Sequence, residues 1–241
     1  MSSDQQTFRR REIKYLLTGR QYEGLLDLLQ HFIEPDSYFK SNILSLYFDT
    51  PDYLLIRRSL EKPAYKEKLR LRCYDVPEAD SKAFMEIKKK YDGIVYKRRE
   101  TLPYEKALYY LLGAEPSGDS QIFQELDWML QFYGNLQPSM FLSCQRLSYQ
   151  SKDTSGIRIT FDEDILWRSR ALDLQKGVWG NPLLPSNSRL MEIKIQGAMP
   201  LWLSDALSQL RIYPQSVSKY GLAYQAMQTH QTHEMEVKKY A

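Results

Sequence analysis

Four cations stand at alternating positions in one short stretch, Lys66, Lys68, Arg70 and Arg72, with Leu69, Leu71 and Cys73 between the last of them. Side chains alternate faces along a β-strand, so a strand here carries a ladder of cations on one face and apolar groups on the other. A second signal is the triplet Glu-x-Lys, which recurs as Glu12-Ile13-Lys14, Glu86-Ile87-Lys88 and Glu192-Ile193-Lys194. Strand periodicity groups Arg10, Glu12 and Lys14, then Glu86, Lys88 and Lys90, then Glu192 and Lys194, opposite apolar residues such as Met85, Ile87, Met191, Ile193 and Ile195. Arg158 and Asp162 share a face in the same way, and residues 94–99 end in Lys97, Arg98 and Arg99.

Guanidinium and ammonium groups bind phosphate oxygens through charge-assisted hydrogen bonds. Isolated carboxylates among them offer hard oxygens to Mg²⁺ or Mn²⁺. Alternation alone is what any half-exposed antiparallel sheet shows. These faces differ in being mainly cationic, where exposed strands mix Thr, Ser, Gln and both charges. Like charges on neighbouring strands repel, so such a face needs full solvation or a neutralising anion. A barrel closed around it leaves the second option, a basic tunnel that suits a polyphosphate chain, with helices covering the apolar outer face.

The elements that would position these residues follow from periodicity. Strands are expected at residues 8–17, 43–49, 66–75, 84–90, 94–101, 140–149, 157–161 and 189–195, eight in all, with Tyr91-Asp92-Gly93 as a hairpin turn. Helices are expected at 21–32, 104–112, 121–133, 201–210 and 220–228. Residues 113–120 and 177–188 read as loops. The expected fold is α+β, a closed antiparallel eight-stranded barrel with helices outside. One domain is expected over residues 1–241, its core at about 8–228 and a polar tail at 229–241.

The bulk numbers allow this. The net charge is only +3, so the chain as a whole is no nucleic-acid binder and any cationic function must be local. The 18 tyrosines are spread along the chain rather than paired on strands for base stacking. Cys73 and Cys144 match no metal or redox spacing and read as small core residues. His31, His230 and His233 are poor ligand candidates, and no Walker or Gly-x-Gly-x-x-Gly loop occurs. No apolar run resembles a signal peptide or a membrane span, and a cytoplasmic location is expected.

In order along residues 8–224, the sequence resembles the triphosphate tunnel metalloenzymes, and within them the VTC domain, the polyphosphate polymerase module. The matching stretches are Arg11-Glu12-Ile13-Lys14-Tyr15, Leu46-Tyr47-Phe48-Asp49-Thr50, Lys68-Leu69-Arg70-Leu71-Arg72-Cys73-Tyr74, Glu86-Ile87-Lys88 with Lys97-Arg98-Arg99, Gln145-Arg146, Arg158-Ile159-Thr160-Phe161-Asp162, Met191-Glu192-Ile193-Lys194 and Ser218-Lys219-Tyr220. The CYTH branch opens with Glu-x-Glu-x-Lys, whereas Arg10 stands at the first Glu position here. That departure disfavours the cyclase and thiamine-triphosphatase readings. Eukaryotic VTC proteins also carry an SPX domain and membrane helices. No stretch of this sequence reads as either, so a membrane role is not expected of it.

The resemblance implies transfer of the γ-phosphate of ATP to a growing inorganic polyphosphate chain, with a divalent metal, Mn²⁺ or Mg²⁺, at a glutamate. It implies that Lys14, Arg70, Arg72, Lys88, Lys97, Arg146, Arg158 and Lys219 hold phosphates, with Ser218 beside them, and that Glu192 is the main metal ligand. Lys68, Lys194 and Arg98 are further substrate contacts, and Glu12, Glu86 and Asp162 further metal candidates. The register that decides between Lys97, Arg98 and Arg99 stays open at this level. Two alternatives share the tunnel: hydrolysis of inorganic triphosphate or nucleoside triphosphates, and binding of polyphosphate or inositol phosphates without turnover.

Overall fold

The computed structural model of the chain describes residues 10–92, 94–113 and 118–240, with only the backbone for residue 10 and residues 231–240. Residues 8 and 9 of the expected first strand, Gly93 of the expected turn and residues 114–117 of the expected loop lie outside the described residues. The strands are β1 (Arg10–Leu17), β2 (Ile33–Asp49), β3 (Tyr65–Tyr74), β4 (Lys82–Tyr91), β5 (Ile94–Pro103), β6 (Gln137–Ser151), β7 (Arg158–Arg168), β8 (Asn181–Pro182) and β9 (Arg189–Gln196). The helices are α1 (Gly19–Leu29), α2 (Leu54–Leu60), α3 (Tyr104–Leu111), α4 (Gln121–Tyr133), α5 (Leu201–Gln209) and α6 (Lys219–Tyr240).

All eight expected strands form, joined by the two-residue β8, in one nine-stranded antiparallel sheet ordered β1-β9-β7-β6-β2-β3-β4-β5 with β8 beside β7. Among the described residues this ladder is an open path, so hydrogen-bonded closure into a barrel is not seen. No helix among them is long and apolar enough to cross a membrane.

Several elements depart from the sequence expectation. β7 runs on to Arg168, β8 lies within an expected loop, and α6 continues to Tyr240 through the expected tail. β2 begins at Ile33 rather than residue 43. Its first part, containing Glu34, Pro35, Asp36 and Ser37, is mostly exposed, so no apolar alternation announces it. Helix α2 is too short to show a helical period. It forms because Asp49 binds its N-terminal amides, Oδ1 accepting from Leu55 N at 2.8 Å and Oδ2 from Ile56 N at 3.0 Å.

The chain divides into two compact units, each built from separate segments. Unit 1 holds residues 1–41, 145–164 and 184–217. One face of β1, β7 and β9 (Tyr15, Leu17, Ile159, Phe161, Met191, Ile193) is buried against α1 (Leu25, Leu29) and α5 (Leu203, Leu207). Thr18 and Gln21 form a capping box that starts α1. Unit 2 holds residues 42–144, 165–183 and 218–241. There β2 (Leu44, Leu46, Phe48), β3 (Leu69, Leu71, Cys73) and β4 (Met85, Ile87) are buried against α3 (Tyr104, Ala107, Leu111) and α4 (Phe123, Leu126, Met129).

Each such aliphatic side chain contributes about 2 kcal/mol when buried, so the apolar face of each strand is strongly specified. Burying one face turns the alternate residues to the other, which is how the cations are placed. Glu67 goes with the apolar face: it is buried and accepts from the hydroxyls of Tyr65 (2.8 Å) and Tyr133 (2.6 Å).

Candidate functional site

In unit 2 the register stacks the cations directly across the ladder. Lys68 faces Lys88, and Lys88 faces Lys97, one lysine on each of β3, β4 and β5. In the next row Tyr47 faces Arg70, Arg70 faces Glu86, and Glu86 faces Arg99. Arg72 lies opposite Ser45 and Phe84.

Glu86 is the hub of this face. Arg70 Nε donates to its Oε2 at 2.7 Å, Arg72 Nε lies 3.7 Å from the same oxygen, and Lys97 Nζ lies 2.7 Å from Oε1. Burial works to raise the Glu86 pKa, but Arg70, Arg72 and Lys97 overcome it and hold the carboxyl at about 2. In the other direction, burial together with Arg70 and Arg72 depresses the Lys97 ammonium against the pull of Glu86.

The start of α6 supplies the remaining groups. Lys68 Nζ donates to Ser218 Oγ at 2.8 Å, and Ser218 Oγ also accepts from Gly221 N at 3.2 Å. Lys219 Nζ lies 3.1 Å from Cys144 Sγ. Tyr220 anchors this segment, its hydroxyl 2.8 Å from Asp49 Oδ2 and 2.9 Å from Ser139 Oγ. Of the two cysteines, Cys73 is a core residue whose thiol burial pushes up to about 12. Cys144 is buried too and sits beside a site lysine.

Unit 1 carries a different pattern on the charged face of β1, β9 and β7. Glu12 faces Lys194, and Lys14 faces Glu192, a checkerboard of opposite charges. Lys194 Nζ lies 3.2 Å from Glu192 Oε1, while Lys14 Nζ lies 3.9 Å from Oε2 and donates to Val217 O at 3.0 Å. Arg146 grips Asp162 with both ends of its fork, at 2.6 and 2.7 Å. Arg158 pairs with Asp36 at 2.8 Å and donates to Ser148 Oγ at 2.9 Å.

Among the described residues there is no cluster of three or more His, Cys, Asp or Glu suited to a metal. Mg²⁺ and Mn²⁺ do not require one where phosphates complete the shell, since such ions keep waters and use one or two protein carboxylates. Glu192 fits that role. Thr160, directly across the ladder from it, has a buried hydroxyl with no hydrogen-bond partner among the described residues. Asp162 and Glu86 fit less well, because arginine and lysine nitrogens hold their oxygens at 2.6–2.7 Å, closer than the 3.2 and 3.9 Å of the lysines at Glu192.

The sequence-derived residues thus fall into two sets. Lys68, Arg70, Arg72, Glu86, Lys88, Lys97, Ser218 and Lys219 gather in unit 2, and Glu12, Lys14, Arg146, Arg158, Asp162, Glu192 and Lys194 in unit 1. Arg98 stands apart. It lies across from Ile87, on the apolar face, with its Nε 3.5 Å from Glu125 of α4. The hairpin register gives Lys97 and Arg99 to the charged face, so Arg98 is corrected from substrate contact to helix contact. Asp36 and Tyr47 were missed as site residues. Asp36 precedes the readable part of its strand, whereas Tyr47 alternates with Ser45 and Asp49 and could have been assigned to the polar face.

A family model for the VTC domain matches residues 9–228. Among curated proteins none matches the chain. A solved structure of a putative adenylate cyclase from Bacillus halodurans is 16% identical, with a TM-score of 0.50, over 88% of this chain and 93% of that one. One from Vibrio parahaemolyticus is 11% identical at a TM-score of 0.48, over 90% and 98%. A protein from Hippeastrum, described as a putative adenylyl cyclase with a dominant triphosphatase activity, is 16% identical at 0.49, over 89% and 95%. The likeness to the Bacillus protein is one of fold. With the family match running through both units and every strand that carries the charged faces, the chain belongs to the VTC domain family.

Proposed function

We propose that the chain is a divalent-metal-dependent phosphotransferase that passes the γ-phosphate of ATP to the end of a growing inorganic polyphosphate chain. The observation that carries this reading is the row Lys68, Lys88 and Lys97, three lysines paired directly opposite one another in the register of β3, β4 and β5. Each like-charged pair costs up to about 1 kcal/mol in a sheet. Glu86 is shared by Arg70, Arg72 and Lys97. A run of phosphates laid across the row would bring negative charge to all three lysines. Adjacent strands are about 4.8 Å apart, so the row spans roughly 10 Å, more than one phosphate group.

In this reading Lys68, Arg70, Arg72, Lys88, Lys97, Ser218 and Lys219 bind phosphates on unit 2, and Lys14, Arg146, Arg158 and Lys194 on unit 1. Glu192, with Glu12 nearby on the same face, would hold Mg²⁺ or Mn²⁺, which when bound neutralises charge on phosphate oxygens. The bond from the γ-phosphorus to the ADP oxygen breaks as a terminal oxygen of the chain bonds to that phosphorus. Such transfer needs positioning and charge neutralisation more than a protein nucleophile, and fixed cations provide both.

The test is incubation of the purified protein with ATP and Mn²⁺ or Mg²⁺, with products resolved by chain length. Long polyphosphate formed together with ADP is the expected result. ADP with only free phosphate would replace the reading by a triphosphatase, and polyphosphate binding without ATP consumption by a binding module.

A further inference from the structure

Tyr47 lies on the cationic face of unit 2, and the proposed function leaves it unused. It stands directly across from Arg70, whose Nη1 donates to the Tyr47 hydroxyl at 3.1 Å and whose guanidinium lies 5.9 Å from the ring centroid. The ring is stacked on Tyr220, centroids 4.5 Å apart and planes 23° from parallel. Tyr220 is itself held by Asp49 and Ser139, so the phenol is fixed among the cations rather than free to swing.

A phenol has one proton to give as well as lone pairs to offer. The Tyr47 oxygen already accepts from Arg70, and its proton has no acceptor among the described residues. A donor held beside Lys68, Arg70 and Arg72 suits an anionic oxygen. We propose that Tyr47 is a further phosphate-binding residue, its hydroxyl donating to a phosphate oxygen held by Lys68 and Arg70, so that polyphosphate binds with Tyr47 protonated. This rests on the polyphosphate reading above.

The surroundings make the proton labile in the empty site. The groups facing Tyr47 are Lys68, Arg70 and Arg72 from β3, Glu86 of β4 beyond Arg70, and Tyr220 from α6 with Asp49 behind it. Burial works to raise the Tyr47 pKa, but Arg70, Lys68 and Arg72 bring it down to about 8. Because the bound form needs the proton, affinity is full below pH 8 and falls above it. Proton linkage gives a loss of about tenfold between about pH 7 and 9.

The experiment measures binding of long-chain inorganic polyphosphate to the full chain and to Tyr47→Phe at both pH values and constant ionic strength. Phenylalanine keeps the stacking on Tyr220, and comparison at each pH cancels the titration of the ligand and the lysines. The wild type is expected to bind about tenfold more tightly than the variant at the lower pH, the worth of one hydrogen bond to a charged group, and to lose that advantage at the higher.

Absorbance at about 295 nm reads the phenolate directly. A step near pH 8 worth one tyrosine, absent in Tyr47→Phe and moved upward by polyphosphate, is expected. Polyphosphate bound by both proteins with a constant ratio overturns the role of Tyr47 alone, as does a step that polyphosphate does not move. Failure of the wild type to bind polyphosphate at all overturns the functional reading and this inference with it.

Discussion

Replacing Glu86 by Gln keeps the shape of the side chain and removes the charge that Arg70, Arg72 and Lys97 share. The carboxyl sits at about 2 against an ordinary 4.5, and one pKa unit is about 1.36 kcal/mol. The difference is on the order of 3 kcal/mol, in line with the roughly 3–5 kcal/mol lost when a buried pair loses one partner. The side chain is 2% exposed, so water screens little of this. Because the folded pKa is depressed, the contribution is complete above about pH 4.5 and fades as pH falls towards about 2. Glu86→Gln should therefore melt about 6–12 °C below the wild type at neutral pH, and the two should converge only as pH falls to about 2 and below. Circular dichroism melts at several pH values measure this. Polyphosphate should raise the melting temperature of the variant more than that of the wild type, since the anion replaces the lost charge. A melting temperature within about 2 °C of the wild type at neutral pH would refute the hub role, being less than one kcal/mol on this scale. Loss of metal-dependent turnover with stability intact would move Glu86 into the metal site instead.

Arg70→Ala should weaken polyphosphate binding about 10–100-fold, the worth of one or two hydrogen bonds to a charged group, and flatten its salt dependence; unaltered affinity in a binding titration would mean that this face is merely solvated. Glu192→Gln should abolish metal-dependent turnover while leaving the melting temperature within a few degrees, since its partners Lys14 and Lys194 are both part-exposed. Turnover equal to wild type in the ATP assay would take Glu192 out of the metal role.

The charged faces were legible in the sequence because their register is set by apolar residues that are themselves legible. Leu69, Leu71 and Cys73 must go inward, and Arg70 and Arg72 then have no choice of side. The ambiguity at Lys97, Arg98 and Arg99 arose where that constraint is absent. β5 is exposed over most of its length, so only its pairing with β4 fixes which arginine faces which way. Helix α2 was invisible for another reason: its start is determined by Asp49, several residues upstream and on a strand. The same carboxylate reaches Tyr220 of α6, far away in sequence, a coupling that no local pattern encodes. Glu67 misled in the opposite sense, since a carboxylate in an alternating run reads as exposed until Tyr65 and Tyr133 are found on it.

Charge accounting, rather than the number of cations, separates what the two units can do. In unit 1 four cations of the charged face have a carboxylate to answer them: Lys14 and Lys194 have Glu192, Arg146 has Asp162 and Arg158 has Asp36. Such a face is close to neutral, and its carboxylates are oxygens a metal could take if a phosphate released the lysines. In unit 2 Glu86 is shared by Arg70, Arg72 and Lys97, Lys68 donates to the Ser218 hydroxyl and Lys219 lies beside the Cys144 thiol. The field of Arg70, Lys68 and Arg72 is what an incoming polyanion would be attracted to, and the lowered pKa of Tyr47 is its local signature: the same field that would favour a phosphate already favours a phenolate.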